Sequence, residues 1–334
     1  MSDRIKWGVL GTGRIIGKAG MAIKEAANGM WHGVAGRTEE NGHSAAERFG
    51  VPHSYENYEA LLRDPEIDAV YIALLNHLHK EWAVKACEAG KHVLLEKPLA
   101  LSGSEANAIA DAAQKHNVLV REAFVWKYYP GFEQIRDWIG EGAIGQWARF
   151  YGRFSFLADE ASSRWRKDWG GGALYDIGCY PVAWARYFTR EEPIAADAAL
   201  DLHPLHGVDR RFTGTLYFGE GRTAQLDAAL DLPHGASFEL WGTKGKLQVE
   251  LDVTAEELRI RCRLDSRWKE WVTDRLTPFR LQAESFADAV LLRKQGRSED
   301  SDGAEEALRQ ARVMDALLEA ARTERRVSVQ ASAE

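Results

Sequence analysis

Cysteine is scarce in this chain of 334 residues: Cys87, Cys179 and Cys262 lie far apart and form no CxxC pair. That spacing excludes a disulfide scaffold and a structural zinc site, and it suits a reducing compartment. Positive charge is also in deficit. Lys and Arg number 43 against 50 Asp and Glu, a formal charge of −7, which argues against nucleic acid or an anionic membrane as the main partner. No apolar run approaches membrane-spanning length, and the opening "MSDRIKWGVL" lacks the apolar stretch of a secretory leader. A cytoplasmic protein is the expectation. Internal repeats and low-complexity segments are absent too. What is plentiful is apolar material, 45% of the residues, and tryptophan, of which there are twelve. The length suits two domains better than one.

The first third alternates strand-like and helix-like patterns. "IKWGVL" reads as a strand, after which Ile15, Ala19, Ala22, Ile23 and Ala26 recur at helical spacing. "WHGVAG" is a second strand, followed by a polar helix ending near Phe49. "DAVYIALL" is continuous and apolar, as a parallel strand covered on both faces must be. A helix over His79 to Ala89, the strand "HVLLE", a helix over Ala106 to His116 and the strand "VLVREAF" complete the series. Such alternation implies right-handed crossovers and an α/β doubly wound parallel sheet over residues 1–123.

Beyond Phe124 the texture changes. A helix over Phe132 to Ile139 precedes "GQWARFYGRFSFLA", and "DRRFTGTLYFGEGRTAQLDAALDL" and "ASFELWGTKGKLQVEL" read as consecutive hairpins. Residues 124–334 are therefore expected to form a second domain on a largely antiparallel sheet, with late helices over Phe279 to Leu292 and Ala304 to Arg322. In "QWARFYGRFSFL" the row Trp147, Arg149, Tyr151 and Arg153 alternates with Ala148, Phe150, Gly152 and Phe154. One row suits a core. The other suits an aromatic–arginine interface, so a homodimer or homotetramer through this sheet is expected.

"VLGTGRI" joins the first strand to the first helix. Gly11 permits a tight turn, and Gly13 lets a pyrophosphate approach a helix N-terminus, where N–H groups and the dipole favour anions. The third glycine of G-x-G-x-x-G is missing: Ile16 stands there, with Gly17 one place later. The second strand ends "AGRTEEN", offering Arg37 and Thr38 where an NAD site usually carries a carboxylate. A guanidinium with a hydroxyl beside it fits the 2′-phosphate of NADP better. NAD remains open.

Lys97 follows "HVLLE" at the carboxyl end of a strand, where α/β sheets bind ligands, and Pro98 restricts the turn. Downstream, "WRKDWGGGALYDIGCYP" holds three successive glycines, Gly170 to Gly172, which suggest backbone close to a ligand or a helix start without side chains. If a helix follows, Asp176 and Tyr180 lie on one face, and Gly178 between them leaves room for a flat ring. Lysine, carboxylate and phenol make a workable proton-transfer set, because an alcohol loses hydride only if its proton is also taken. Burial and neighbouring cations can bring a lysine down toward ~7–8, within reach of a general base. His77 and His79 stand two apart but have no carboxylate or cysteine partner in the pattern, so no metal is expected.

The segments "GVLGTGRI", "AGRT", "NHLHKEWAVKACEAGKHVLLEKPLA", "REAFVWKYYP" and "GGGALYDIGCYPV" together resemble the glucose–fructose oxidoreductase / inositol dehydrogenase / MocA family over nearly the whole length. The EKP element followed by GGGALxDIGxY is the specific part. The resemblance implies an N-terminal Rossmann domain and a C-terminal α/β domain with an open, mostly antiparallel sheet. It makes Lys97 the catalytic lysine and Asp176 a substrate-orienting carboxylate. Tyr180, a histidine in many members, points to the branch of glucose–fructose oxidoreductase, NADP-dependent xylose dehydrogenase and dimeric dihydrodiol dehydrogenase. The implied cofactor contacts are Gly11, Thr12, Gly13, Arg14 and Ile15 in the first loop, then Arg37 and Thr38. Further along they are Leu74, Leu75, Asn76 and His79, then Glu96 and Lys97, with Trp165 and Arg166 reaching the nicotinamide half.

Two departures stand out. Leu75 replaces a common proline, which would alter the loop under the nicotinamide ribose. "WKYYP" replaces the usual run, so Trp126, Lys127 and Tyr129 are expected to reshape the substrate side. The function read here is NADP-dependent hydride transfer to or from a carbohydrate or cyclic polyol. Two alternatives stay open: a reductase of nucleotide-linked keto sugars, with Arg164, Arg166 and Lys167 as a basic groove, and a cofactor-sensing regulator without catalysis.

Overall fold

Short apolar runs set between amphipathic helices bury best as layers. The computed structural model, which describes residues 4–254, 256–297 and 303–329, has them. In chain order come β1 (Ile5–Leu10), α1 (Ile16–Glu25), β2 (Gly29–Ala35), α2 (Glu39–Phe49), β3 (His53–Tyr55) and α3 (Tyr58–Arg63). Then follow β4 (Ala69–Ile72), α4 (His79–Glu88), β5 (His92–Leu95), α5 (Gly103–Lys115) and β6 (Val120–Glu122). The strands make one six-stranded sheet of order β3-β2-β1-β4-β5-β6 in which every neighbouring pair is parallel. This is the expected doubly wound sheet, with its reversal of strand order between β1 and β4. β3 and α3 carry no periodic signal: His53 and Ser54 are exposed, and α3 is started by Asn57, whose side chain accepts from the Ala60 N–H at 2.7 Å. Of "DAVYIALL", only Ala69–Ile72 pairs as a strand.

The remaining elements are α6 (Phe132–Gly140), β7 (Trp147–Leu157), α7 (Cys179–Thr189), β8 (Ala195–Leu202), β9 (Asp209–Tyr217), β10 (Thr223–Ala229) and β11 (Asp231–Gly242). After them come β12 (Lys246–Val253), β13 (Glu257–Leu264), β14 (Arg267–Asp274), α8 (Thr277–Lys294), α9 (Ala304–Thr323) and β15 (Val327–Ser328). A nine-stranded sheet runs β14-β13-β12-β11-β7-β10-β9-β8-β15. Its pairs are antiparallel except β7 with β10.

The chain divides into two compact units. The first takes residues through Ala100, 104–129 and 275–308; the second takes 101–103, 130–274 and those from Arg309 onward. This differs from a division at residue 123, because α8 returns to the first unit. Phe286 packs 5.2 Å from the Trp7 ring, and Ala283, Ala287 and Val290 share that core. Asn28 donates to the Glu284 carbonyl at 2.9 Å and to Asp288. The 3₁₀ turn Val125–Tyr128 stays with it, since Arg121 donates to both Tyr128 and Ser285 at 3.2 Å.

In the second unit, Phe132 of α6 and Trp184 and Phe188 of α7 meet Phe150 and Phe238 of the sheet. Ring centroids lie 4.4 Å apart for Phe188–Phe238 and 5.7 Å for Phe150–Phe238. Phe150 and Gly152 point into this core, while Arg149 and Arg153 are exposed. Trp147 departs from the expected outer row. It is buried against Phe218 at 5.0 Å, under the Arg222 guanidinium, and donates to Glu191 at 3.0 Å.

Candidate active site

The first-unit residues sit where the carboxyl ends of β2, β1 and β4 are laced together. The Gly11 N–H donates to the Ala35 carbonyl and the Ala73 N–H to that of Leu10, both at 2.9 Å. Gly11 has φ +106°, and a Cβ there would stand 2.4 Å from the Ala73 carbonyl oxygen, so the turn admits only glycine. At Gly13 a Cβ would meet no protein atom within 4 Å. Thr12, Gly13 and Arg14 lead to Ile15, the first α-helical residue ahead of α1. That helix has no side-chain cap and no acid in its first turn. An open glycine before an uncapped helix start fits a dinucleotide pyrophosphate. Lys18 lies in the same first turn, and burial first, then the charge of Arg275, holds its ammonium below the usual lysine range.

At the end of β2, Thr38 caps α2 by accepting from the Asn41 N–H at 3.3 Å. Arg37 is exposed, and its charge acts on Tyr58, whose pKa is raised by burial against that opposing pull. No ion pair engages Arg37 among the described residues.

Leu74, Leu75 and Asn76 lead out of β4. Leu75 has φ −73° and ψ 146°, the conformation that a proline would lock, so the loop keeps a proline-like path without the ring. The expected alteration of this loop is therefore absent from its backbone at Leu75. The buried His79 ring lies between two carbonyls, with Nδ1 2.8 Å from Pro98 O and Nε2 3.1 Å from Leu74 O. Burial depresses its pKa, the two carbonyls oppose that, and the Lys97 charge adds to it. A neutral ring donates to one carbonyl at a time.

The turn carrying Lys97 is tied on three flanks. From β4, Ile72 O accepts from the Glu96 N–H at 3.0 Å, and the Tyr71 hydroxyl donates to the Glu96 carboxylate. From α4, His79 meets Pro98. From the end of β6, buried Glu122 accepts from the Leu99 N–H at 2.9 Å. The Lys97–Pro98 peptide is cis, and Lys97 is half-buried. Its charge reaches Tyr129, whose phenol is pushed up to about 12 by burial, with Arg275 and Lys97 pulling the other way. Trp126, expected on the substrate side, is buried, 5.7 Å from Phe124.

In the second unit, Leu174–Gly178 is a π-helical turn that runs directly into α7. Such turns often mark functional sites. It carries Asp176, and Tyr180 follows in the first turn of α7; both are half-buried. Asp176 accepts from Arg164 Nε in an ion pair, and the Arg164 guanidinium lies 5.2 Å from the Phe156 ring centre. Tyr180 packs edge-on against Phe154 at 5.2 Å and Trp184 at 6.0 Å.

Gly171 and Gly172 open the start of this segment to close protein groups. A Cβ on Gly171 would lie 2.3 Å from the Arg164 carbonyl, and one on Gly172, at φ +118°, 2.0 Å from the Asp209 carboxylate. A Cβ on Gly178, where space for a flat ring was expected, would stand 3.1 Å from Leu174 and 3.4 Å from Phe212. Trp165 is 6% exposed, stacked on His206, in tilted contact with His203 and donating to Asp159 O at 3.0 Å. Arg166 lies over Trp169 and bonds Asp168 at 3.0 Å.

Two family models match the chain: the oxidoreductase family with NAD-binding Rossmann fold over residues 5–124, and the GFO/IDH/MocA C-terminal domain over residues 132–248. An NADP-dependent D-xylose 1-dehydrogenase of Haloferax volcanii is 32% identical, covering 95% of this chain and 97% of its own. The chain belongs to the GFO/IDH/MocA oxidoreductase family. The trans-1,2-dihydrobenzene-1,2-diol dehydrogenase of Xenopus laevis, also 32% identical, covers 73% of this chain and 74% of its own. Among solved structures, a 3-ketoreductase of Actinomadura kijaniata in complex with NADP and TDP-benzene superposes with a TM-score of 0.86 at 29% identity, covering 95% of this chain and 98% of its own.

As a GFO/IDH/MocA member the protein is an NAD(P)-dependent oxidoreductase. Among the described residues no helix is long and apolar enough to cross a membrane, and no group of three or more His, Cys, Asp and Glu could hold a metal ion. Reading the sequence missed Glu122, Arg164 as the partner of Asp176, Asp209 and Arg275. "REAF" places an acid at a strand end, which was a usable signal for Glu122. Arg275 and Asp209 lie too far from any motif to be read.

Proposed function

We propose that this family member is an NADP-dependent dehydrogenase or reductase of a free carbohydrate or cyclic polyol. The observation that carries the reading is the triple anchoring of the turn that presents Lys97, since a solvated strand end has no need of it. Bound nicotinamide supplies or accepts the hydride at C4. Lys97 takes the hydroxyl proton in oxidation and returns it in reduction, with Tyr180 as the second proton carrier. Asp176, held by Arg164, orients the substrate hydroxyls as an acceptor. Arg37, exposed and unopposed by an acid, supports NADP over NAD.

The relative solved with TDP-benzene favours a second reading, a nucleotide-linked keto-sugar reductase. The basic trio weighs against it here. Arg164 is spent on Asp176 and Arg166 on Asp168, which leaves Lys167 alone for a diphosphate. The outer face of the nine-stranded sheet, with Arg149, Arg153 and the 43%-exposed Trp241, supports association of identical chains. The test of function is a screen of purified protein with NADP⁺ and NAD⁺ against aldoses, polyols and dihydrodiols, and with NADPH against nucleotide keto sugars. Turnover confined to the nucleotide sugars would overturn the free-sugar reading.

A further inference from the structure

Asp209, the first residue of β9, has no place in the motifs and lies 35 residues from the turn it touches. Its side chain is 7% exposed, and Oδ2 accepts from the Leu174 N–H at 2.6 Å, with the Ala173 N–H and its own N–H as further donors. Gly172 lets the carboxylate reach those groups, because any Cβ would occupy the Oδ1 position. The same turn is clasped from its other side: Gly172 N donates to Arg164 O at 2.9 Å, and the Arg164 side chain holds Asp176. Asp209 thus sits at the amino end of the segment bearing Asp176 and, immediately after it, Tyr180.

We infer that Asp209 is a positioning residue for the reaction: its carboxylate fixes the Leu174–Gly178 turn and through it the placement of Asp176 and Tyr180. This rests on the functional reading above. Burial raises the Asp209 pKa to about 6 despite the three N–H donors. No charged side chain contributes. Arg210 and Arg211 beside it pair with Asp201 and Asp231, Arg164 pairs with Asp176, Arg166 pairs with Asp168, and His203 and His206 lie against Trp165. Above that pKa the turn is held by charged hydrogen bonds; below it they weaken.

The experiment has two arms on the full chain. Selective ¹⁵N-leucine labelling follows the Leu174 amide against pH, which needs no substrate; its shift is expected to titrate with a midpoint near 6. The second arm follows kcat/KM for the reduction direction, in which Lys97 acts protonated and adds no acid limb of its own, against pH in the wild type and in Asp209→Asn. The wild type is expected to lose activity on the acid side at the Leu174 midpoint. Asp209→Asn is expected to lack that limb and to be slower at neutral pH by about 10–100-fold, the usual cost of a misplaced group, with NADP affinity unchanged. A flat Leu174 amide, or an acid limb that survives in Asp209→Asn, overturns the inference. If that variant does not fold, coincidence of the two wild-type midpoints supports it and divergence overturns it. A titrating amide in a protein that reduces and oxidises none of the screened compounds overturns the functional reading and leaves the hold of Asp209 on the turn standing.

Discussion

In the first unit, the candidate residues from Gly11 to Lys97 follow the carboxyl ends of parallel strands, and backbone carbonyls of neighbouring strands tie the loops at Gly11, Ala73 and Glu96. Leu10, Ala35 and Ile72 all serve in this way. In the second unit, Asp176 lies on a π turn and Tyr180 in the helix that follows it, and side chains from Arg164 and Asp209 do the holding. The first device is general to doubly wound sheets, which present whatever follows a strand. The second depends on single side chains, so one lost side chain undoes it. Under the proposed function, the proton-transfer lysine is thus built on the first device, and the residues proposed to meet substrate rest on the second.

The sharpest way to break this comparison is Lys97→Met. The stem's volume is kept and the proton carrier removed, so turnover is expected to fall by about 10²–10⁴ while NADP binding survives. Single-turnover hydride transfer, with cofactor affinity measured alongside, checks it. Wild-type rates would return Lys97 to an ordinary strand-end lysine. Arg37→Ala comes next. Titration of both cofactors should show NADP weakened by about 1.5–3 kcal/mol, the worth of a charged hydrogen bond, and NAD untouched. Equal losses would mean that Arg37 does not read the 2′-phosphate.

Arg164→Leu probes the second unit. Its pair with Asp176 is partly exposed, so a smaller effect of about 1–2 kcal/mol in kcat/KM is expected, divided between a higher KM and a lower kcat. Unchanged kinetics would remove Arg164 from the site and revive the basic groove for a diphosphate. The smallest effect concerns the sheet. Light scattering at micromolar concentration should find an oligomer, and Trp241→Glu should shift it toward monomer with little change in rate. Monomer alone in the wild type would exclude the sheet as an interface.

Much of the first unit was legible because its signals are local. The strand periods, the glycine loop and "EKP" each lie within a few residues, and parallel-sheet topology turns that order into position. Even there, β3 and α3 escaped, being short and polar, and Leu75 kept a proline's backbone angles without the ring. The second unit was legible as hairpins and as a motif. What its glycines make room for was not legible: Gly171, Gly172 and Gly178 yield space to Arg164, Asp209 and Phe212.

By itself the sequence determined the parallel sheet, the antiparallel sheet, the cofactor loop and the presence of a lysine, a carboxylate and a phenol, because backbone propensity and hydrophobic period act over short stretches. Only the tertiary structure decided that α8 closes the first core, that Trp126 and Trp147 are buried, and that Arg164 and Asp209 hold the turn bearing Asp176. Those outcomes depend on which distant side chains find one another once water is excluded. A buried carboxylate must then take whatever N–H donors the fold brings to it.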